Sequence, residues 1–284
     1  MIESETKDVG VLPARRLEST FETVPGKGRV RVARLGRGPT LLCLHGYPEN
    51  LQIFCELLPL LSSRFQAIAF DWPGMGRSDP WPGGTTPKHL AGRILTLLDA
   101  WGIERVTLVG MDMGGQPALA FAAMHSDRIE RLVVMNSLVF GDEDTSWEIR
   151  LLREYGLNRV ILRRFPRLVF ARAERTFLPA GVRLPGDLRR ELWETFREES
   201  VRGFIVKMCS GYEGTLAELP DLYAKIACPT LVLWAEDDKH FPPIQAERLK
   251  RAISDATLSV LPKARHWMAW YRAGEVAAQI LAFR

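Results

Sequence analysis

Short apolar runs alternate with longer amphipathic stretches along the first half of the chain. Apolar runs of about four to eight residues between turn residues predict buried strands, and apolar positions recurring three and four residues apart predict helices. The predicted strands are Glu18–Val24, Arg29–Leu35, Thr40–Leu44, Phe65–Phe70, Arg105–Val109 and Ile129–Met135. The predicted helices are Asn50–Leu61, Pro87–Trp101 and Met113–His125.

The order of these elements indicates how the strands pair. The turn Pro25-Gly26-Lys27-Gly28 joins the first two strands and predicts an antiparallel hairpin. The later strands are separated by helices, and such crossovers return the chain to a parallel neighbour. We therefore predict an α/β protein with a mostly parallel, doubly wound sheet and an N-terminal antiparallel hairpin.

The strand pattern stops near Ser137 and resumes only after Lys225. Helical stretches fill this interval, and they are interrupted at Pro166, Pro179, Pro185 and Gly186. After it come a strand, a helix, a strand and a final helix, at Thr230–Trp234, Pro243–Ile253, Thr257–Leu261 and Gly274–Phe283. The pattern predicts a core formed by residues 1–137 and 226–284, with a helical cap at residues 138–225 inserted between them.

Composition excludes several functional classes. The 284 residues are 46% hydrophobic and 25% charged, which is typical of a globular protein. The net charge is +4, but the arginines between Arg150 and Arg202 recur at helical spacing among apolar residues. That pattern favours solvated helix faces over nucleic-acid or membrane binding. The segment Met1–Asp8 is charged, and no apolar run approaches the roughly 18 residues that span a bilayer. We expect neither export nor membrane insertion.

The four cysteines show no pairing pattern. Cys43, Cys55, Cys209 and Cys228 lie in apolar segments without a C-x-x-C spacing. They are interpreted as reduced, buried thiols rather than disulfides or a metal site, which fits a cytoplasmic protein. No metal or other cofactor is expected.

A catalytic motif lies between the strand Arg105–Val109 and the helix that follows it. In Gly110-Met111-Asp112-Met113-Gly114, glycines flank a residue that must occupy a sharp strand-to-helix turn. The turn would project the Asp112 carboxylate above the sheet, near the positive end of the helix dipole. The alternative is that Asp112 only caps the helix.

This motif, with His45-Gly46-Tyr47-Pro48 and Asp71-Trp72-Pro73-Gly74-Met75-Gly76-Arg77-Ser78, resembles the α/β-hydrolase superfamily over nearly the whole chain. Most members carry Ser at the turn, whereas Asp112 resembles the branch of epoxide hydrolases and haloalkane dehalogenases. The resemblance implies that the carboxylate attacks an electrophilic sp3 carbon and forms an ester with the protein. Water then hydrolyses this ester with the help of a general base.

The resemblance also implies the order nucleophile, acid, base along the chain. His266 follows the last predicted strand and is the expected base, with His240 as the alternative. Asp238 matches the family spacing to the following proline and is the expected acid, with Asp237 as the alternative. Asn136 stands at another place where the family carries an acid, and it supplies no charge.

The same resemblance implies hydrogen-bond donors around the nucleophile. The backbone N–H groups of Tyr47 and Met113 match the oxyanion hole. The His-Gly-x-Pro segment can also be a simple tight turn, with a cis Tyr47–Pro48 bond. Two tyrosines of the predicted cap, Tyr155 and Tyr212, match the spacing of the phenols that protonate an opening epoxide, although either could be a packing residue.

The residues beside the nucleophile decide among subfamilies. Haloalkane dehalogenases carry Trp after the nucleophile and often Asn after His-Gly, and fluoroacetate dehalogenases carry Arg after the nucleophile. Met113 and Tyr47 occupy these positions here. A thioether has no N–H to donate to a halide. We therefore expect an epoxide hydrolase acting on a small apolar electrophile and water, with no nucleic-acid or membrane partner. The alternative functions are a haloalkane or haloacid dehalogenase, a β-lactone decarboxylase and a non-catalytic ligand receptor. The partner considered for the chain itself is a second copy, in a homodimer.

Overall fold

The computed structural model describes residues 16–142, 145, 147, 150, 156–210 and 216–283. In this part of the chain eight strands form one sheet in the order β1-β2-β4-β3-β5-β6-β7-β8. The strands are β1 Thr20–Val24, β2 Gly28–Leu35, β3 Thr40–Leu44, β4 Gln66–Phe70, β5 Val106–Met111, β6 Ile129–Met135, β7 Thr230–Ala235 and β8 Ala256–Leu261.

The pairing follows the predicted pattern. Strands β1 and β2 form the expected antiparallel hairpin, with Val24 opposite Gly28. Strand β2 also runs antiparallel to β4, and every later pairing is parallel. Strands β5 and β7 are buried at every position, as expected for a parallel sheet covered by helices on both faces. The predicted α/β fold is confirmed.

Eleven α-helices are described, and five of them lie between β6 and β7 in the sequence. They are α1 Leu57–Leu61, α2 Pro87–Ala100, α3 Gly115–Met124, α4 Gly156–Arg164, α5 Pro166–Phe177, α6 Gly186–Phe196, α7 Glu199–Ser210, α8 Pro220–Tyr223, α9 Ile244–Ala252, α10 Met268–Tyr271 and α11 Ala273–Ala282. Helices α4 to α8 lie in the interval assigned to the cap, and the described residues of that interval contain no strand. The boundaries 138 and 225 stay a prediction.

The predicted helix Asn50–Leu61 is wrong as a single element. The chain forms a 3-10 turn at Leu51–Phe54 and begins α1 only at Leu57. Pro59 lacks an N–H group, so it would break the interior of a longer helix but is tolerated in the first turn of α1. The Asn50 side chain accepts a hydrogen bond from Gln52 N at 2.9 Å and caps the 3-10 turn.

A buried group of charges joins the sheet to α6. Glu191 on α6 accepts hydrogen bonds from Arg31 Nη1 at 2.6 Å and from Arg77 Nη2 at 3.0 Å, and it also pairs with Arg16. Arg31 belongs to β2, and Arg77 lies in the loop after β4. One side chain of α6 therefore contacts two separate parts of the core.

Two further observations concern membranes and thiols. No helix in the described part of the chain is both long and apolar enough to cross a membrane. All four cysteines are buried, and burial raises the pKa of the Cys55 thiol to about 12, so that thiol stays protonated.

Candidate active site

Asp112 stands at the turn between β5 and α3. Its φ is 50°, in the left-handed region that non-glycine residues seldom adopt, so the backbone is strained at this residue. The flanking glycines make the turn possible. A Cβ on Gly110 would lie 2.5 Å from Gly114 O, and one on Gly114 would lie 2.3 Å from Leu44 O. The glycine pattern in the sequence therefore reflects close backbone contacts around the turn.

The imidazole of His266 lies between two carboxylates. Nδ1 of His266 is 2.7 Å from Asp238 Oδ2, and Nε2 is 3.3 Å from Asp112 Oδ2. Asp238 follows β7, and His266 follows β8. All three side chains are buried, so the three residues expected from the sequence meet at the carboxyl ends of the strands.

Asp238, rather than Asp237, is the carboxylate that reaches His266. Asp237 is exposed, and its backbone N–H donates to Ala264 O at 2.8 Å. Asp238 is buried, and its Oδ1 accepts hydrogen bonds from His240 N at 2.8 Å and Phe241 N at 3.0 Å. Burial raises the pKa of Asp238, but the charge and hydrogen bond of His266 outweigh burial and hold this pKa below its ordinary value.

The two carboxylates favour the charged imidazole. Burial lowers the pKa of His266, but the charge of Asp238, the hydrogen bond with Asp238 and the nearby Asp112 carboxylate outweigh burial and raise it to about 10. Two carboxylates beside one imidazole therefore favour its charged form in the free site. Loss of the Asp112 charge would lower this pKa again.

Tyr47 contacts the nucleophile candidate from the other side. Its backbone N–H donates to Asp112 Oδ1 at 3.1 Å, and the Tyr47–Pro48 bond is cis. Met113, whose N–H is the other expected oxyanion donor, is buried in the turn directly after Asp112. Oδ1 of Asp112 thus faces a backbone donor, while Oδ2 faces His266.

Asn136 stands at the alternative acid position and forms hydrogen bonds with the backbone around the site. Its Nδ2 donates to His266 O at 3.0 Å, and its Oδ1 accepts from Ala235 N at 2.9 Å. Its own backbone oxygen accepts from Asp112 N at 3.1 Å. The residue therefore fixes the backbone of both Asp112 and His266.

Glu49 is a buried acid that the sequence analysis missed. It follows the His-Gly-Tyr-Pro motif directly and accepts hydrogen bonds from Gly46 N at 2.9 Å and Trp267 Nε1 at 2.5 Å. Burial and the charge of Asp112 raise the pKa of Glu49 to about 8, against a lowering by His266. In the sequence, Glu49 is marked only by its place directly after the His-Gly-Tyr-Pro motif, whose residues are buried or half-buried in the structure.

The remaining candidates have different outcomes. His45 is buried in the strand-end turn, where its Nε2 accepts from Trp72 N at 3.2 Å. His240 does not contact Asp112 as a base would, and its Nε2 lies 2.9 Å from Thr176 Oγ1. Tyr155 and Tyr212 lie outside the described residues.

A cavity of about 270 Å³ opens beside Asp112. Most of its lining is apolar and comes from α4, α5 and the loop after β7. The apolar lining residues are Pro48, Trp147, Ile161, Leu162, Leu168, Val169, Ala173, Phe177 and Phe241. The polar ones are Tyr47, Asp112, Arg172, Thr176 and His240. A mostly apolar pocket with a few polar groups is typical of a small-molecule site.

Comparison with known proteins places this chain. The model of the alpha/beta hydrolase fold family matches residues 39–273. The chain belongs to the α/β hydrolase fold family. A crystal structure of a membrane phospholipase A superposes on it with a TM-score of 0.82 at 23% identity, covering 95% of this chain and 86% of that chain, which supports the fold alone.

Two curated relatives of this hydrolase carry different names. It is 27% identical over 270 residues to a 2-hydroxy-6-oxononadienedioate/2-hydroxy-6-oxononatrienedioate hydrolase of Cupriavidus pinatubonensis, with 91% of this chain and 88% of that protein covered. It is 41% identical over 107 residues to epoxide hydrolase 2 of Siraitia grosvenorii, but only 37% of this chain and 34% of that protein are covered. The comparisons therefore establish an α/β-fold hydrolase without fixing its substrate.

Proposed function

We propose that this hydrolase converts small apolar epoxides to diols through a covalent ester on Asp112. The observation that carries the proposal is that the two oxygens of the Asp112 carboxylate have different contacts. Oδ1 of Asp112 accepts the Tyr47 N–H, Oδ2 lies 3.3 Å from His266 Nε2, and the residue lines the apolar cavity. Oδ2 is therefore the atom left to attack a substrate.

In the first step Oδ2 attacks an oxirane carbon, and the C–O bond of the ring breaks with its electron pair on oxygen. The alkoxide takes a proton from a donor, the role proposed for Tyr155 and Tyr212. Asp112 becomes a neutral ester. Because the Asp112 charge helps to raise the pKa of His266, ester formation lowers that pKa, and the imidazolium proton can pass to the phenolate that the donor has become.

In the second step neutral His266 acts as the base. It takes a proton from water, whose oxygen attacks Cγ of the Asp112 ester. Negative charge then develops on Oδ1, which already faces the Tyr47 N–H, and the Met113 N–H is the second proposed donor. Collapse of this intermediate breaks the bond between Cγ and the ester oxygen. The departing alkoxide takes the proton of the new carboxyl group, which gives the diol and restores the carboxylate, while Asp238 stabilises the charged imidazole.

An electrophilic sp3 carbon fits this nucleophile better than a carbonyl carbon does. Attack of a carboxylate on a carbonyl group gives an acid anhydride, which is more reactive than an ester or a ketone, whereas attack on an epoxide gives an ordinary ester. For this reason the name of the relative from Cupriavidus is not transferred to this chain. The similarity over 107 residues to an epoxide hydrolase supports the same choice.

The test separates the two steps. His266→Gln removes the base and leaves the nucleophile, so the protein should accumulate an adduct when mixed with an aryl epoxide that the wild type hydrolyses. Intact-protein and peptide mass spectrometry should find a mass increase equal to the whole epoxide, located on Asp112. The Asp112→Ala variant is the control and should carry no adduct.

The same experiment distinguishes the leaving group. A haloalkane substrate would add only its alkyl group and release halide, and a β-lactone would add its whole mass. An adduct from haloalkanes alone would replace the epoxide proposal with dehalogenation. Turnover by the wild type with no adduct on any His266→Gln sample would contradict the two-step scheme itself.

A further inference from the structure

We propose that residues 176–178, at the end of α5, clamp the general base His266 and thereby couple a cap-side helix to ester hydrolysis. We name these residues the 176–178 clamp. The inference rests on the proposed role of His266 as the base. It assigns positioning roles to residues that neither the motifs nor the comparisons mark.

The clamp binds the residues on both sides of His266. The backbone N–H of Trp267 donates to Phe177 O at 3.2 Å, and Arg265 Nη1 donates to Leu178 O at 2.9 Å. Arg265 directly precedes His266 in the sequence, and Trp267 directly follows it. Their hydrogen bonds fix the backbone that carries the imidazole relative to α5.

The ring of Phe177 covers the imidazole itself. The two ring centroids are 4.2 Å apart with an interplanar angle of 39°, and the Phe177 ring also packs edge-on against Trp267 at 5.1 Å. Phe177 is buried, and His266 is 1% exposed. The phenyl ring therefore restricts rotation of the imidazole and shields its hydrogen bond with Asp238 from water.

Thr176 extends the clamp to the loop of the acid. Its hydroxyl donates to Arg172 O at 2.9 Å, so its oxygen remains to accept the Nε2–H of His240 at 2.9 Å. The backbone N–H of His240 in turn donates to Asp238 Oδ1 at 2.8 Å. Three consecutive residues of one segment thus contact the loops of both members of the acid–base pair.

The clamp also faces the substrate. Thr176 and Phe177 line the cavity beside Asp112, so a molecule in the cavity touches the same residues that hold the base. Alkylation of Asp112 needs only the carboxylate and a proton donor. Hydrolysis of the ester needs His266 in the correct orientation, so the two steps should respond differently when the clamp is weakened.

The kinetic test uses Phe177→Leu, with Phe170→Leu as the matched control. Phe170 lies on the same helix and is also buried, but it packs against Trp193 and Phe196 rather than against His266. Because Phe177 also lines the cavity, Phe177→Leu can slow both steps, but in single-turnover experiments it should slow hydrolysis roughly tenfold to a hundredfold more than alkylation, the scale expected for a misplaced catalytic group. Adduct should accumulate in this variant and not in the control.

A second arm needs no substrate. In protein labelled with 15N-histidine, the Nδ1–H proton of His266 should give a sharp low-field NMR signal in the wild type and in Phe170→Leu, because it is hydrogen-bonded and protected from water. Phe177→Leu should broaden or remove this signal. Arg265→Met removes the hydrogen bond to Leu178 O and should also weaken the Nδ1–H signal of His266. This variant replaces Phe177→Leu in the comparison if Phe177→Leu does not fold.

The outcomes separate the two proposals. Absence of an Asp112 adduct in His266→Gln with a substrate that the wild type turns over would refute the proposed function, while the NMR comparison would still decide the clamp. Equal effects of Phe177→Leu and Phe170→Leu on the signal, or equal slowing of alkylation and hydrolysis in Phe177→Leu, would refute the clamp and leave only a packing role.

Discussion

The imidazole of His266 touches two carboxylates that are chemically alike but have different proposed roles. Asp112 Oδ2 faces Nε2, and Asp112 lines the cavity. Asp238 Oδ2 faces Nδ1, and Asp238 is not among the residues that line the cavity. Against the effect of burial, the charge and hydrogen bond of His266 hold the pKa of Asp238 below its ordinary value, and the backbone N–H groups of His240 and Phe241 donate to its Oδ1. The different contacts of the two carboxylates therefore support Asp112 as the proposed nucleophile and Asp238 as the proposed acid.

This assignment predicts unequal effects of two neighbouring substitutions. Asp238→Asn should lower the hydrolysis rate by roughly a thousandfold or more, because the amide favours the wrong imidazole tautomer and cannot stabilise its cation. Asp237→Asn should change the rate by less than about twofold, since its side chain is exposed. Stopped-flow measurement of both steps gives the comparison. A larger loss in Asp237→Asn would invalidate the assignment of the acid.

Sequence motifs could reveal only part of the site at this scale. Asp112 and His266 were predictable because glycine spacing and chain order mark them. Glu49 and Asn136 were not, because their roles depend on contacts with Trp267 and with the backbone of His266, more than a hundred residues away. Such long-range hydrogen bonds leave no local pattern in one sequence.

The strands of the sheet were predicted better than the helical segment after β3. Strands β3 and β6 have the predicted bounds, because each strand ends where its apolar run ends. Strands β5 and β7, which are buried at every position, extend two and one residues beyond the predicted ends. The segment from Leu51 to Leu61 was mistaken for one helix because its apolar residues fit helical spacing. Pro59 and the cap formed by Asn50 divide it, and tertiary contacts of this kind outweigh periodicity.

The cap interval contains Tyr155 and Tyr212, the proposed donors that would distinguish epoxide opening from halide displacement. A phenol has a pKa near 10, so it is protonated at neutral pH and can donate to a nascent alkoxide. The double variant Tyr155→Phe and Tyr212→Phe should slow alkylation by a styrene-oxide-like substrate roughly tenfold to a thousandfold. Rapid-quench analysis of the adduct measures this rate.

Two results bear on that prediction. Hydrolysis of the preformed ester should change little in the double variant, because it depends on His266 and the backbone donors. Epoxide opening at the wild-type rate would remove both tyrosines from the mechanism and leave the proton donor to be sought among the other polar groups of the cavity.

At the scale of the whole molecule, buried charges join parts of the chain that are far apart in sequence. Arg16 and Glu191 are 175 residues apart, and Arg31 and Glu191 are 160 apart. Charge pairing over such separations could not be predicted from one sequence, which showed only scattered arginines. Contacts between α6 and the core hold the helices that line the cavity against the sheet that carries Asp112.

The group around Glu191 should therefore contribute to global stability. Removing one partner of a buried pair leaves an uncompensated charge, and Arg31 has a side chain only 9% exposed. Because Asp71 remains 3.5 Å from Arg31, we expect Glu191→Ala to cost about 3 kcal/mol, the lower end of the usual range. Glu194→Ala is the matched control, since Glu194 pairs with Arg77 while 47% exposed and should cost under about 1 kcal/mol.

The pH dependence provides a second check with a definite sign. Burial raises the pKa of Glu191, but the hydrogen bonds and charges of Arg77 and Arg31 outweigh burial and hold this pKa below the ordinary value of 4.5. A lowered carboxyl pKa contributes stability that is present above the unfolded value and is lost as the pH falls through the folded value. Urea unfolding of wild type and Glu191→Ala should thus differ fully at pH 7 and converge below pH 4.5. A difference that stays constant over this range would mean that packing of the side chain, rather than its charge, holds α6 on the core.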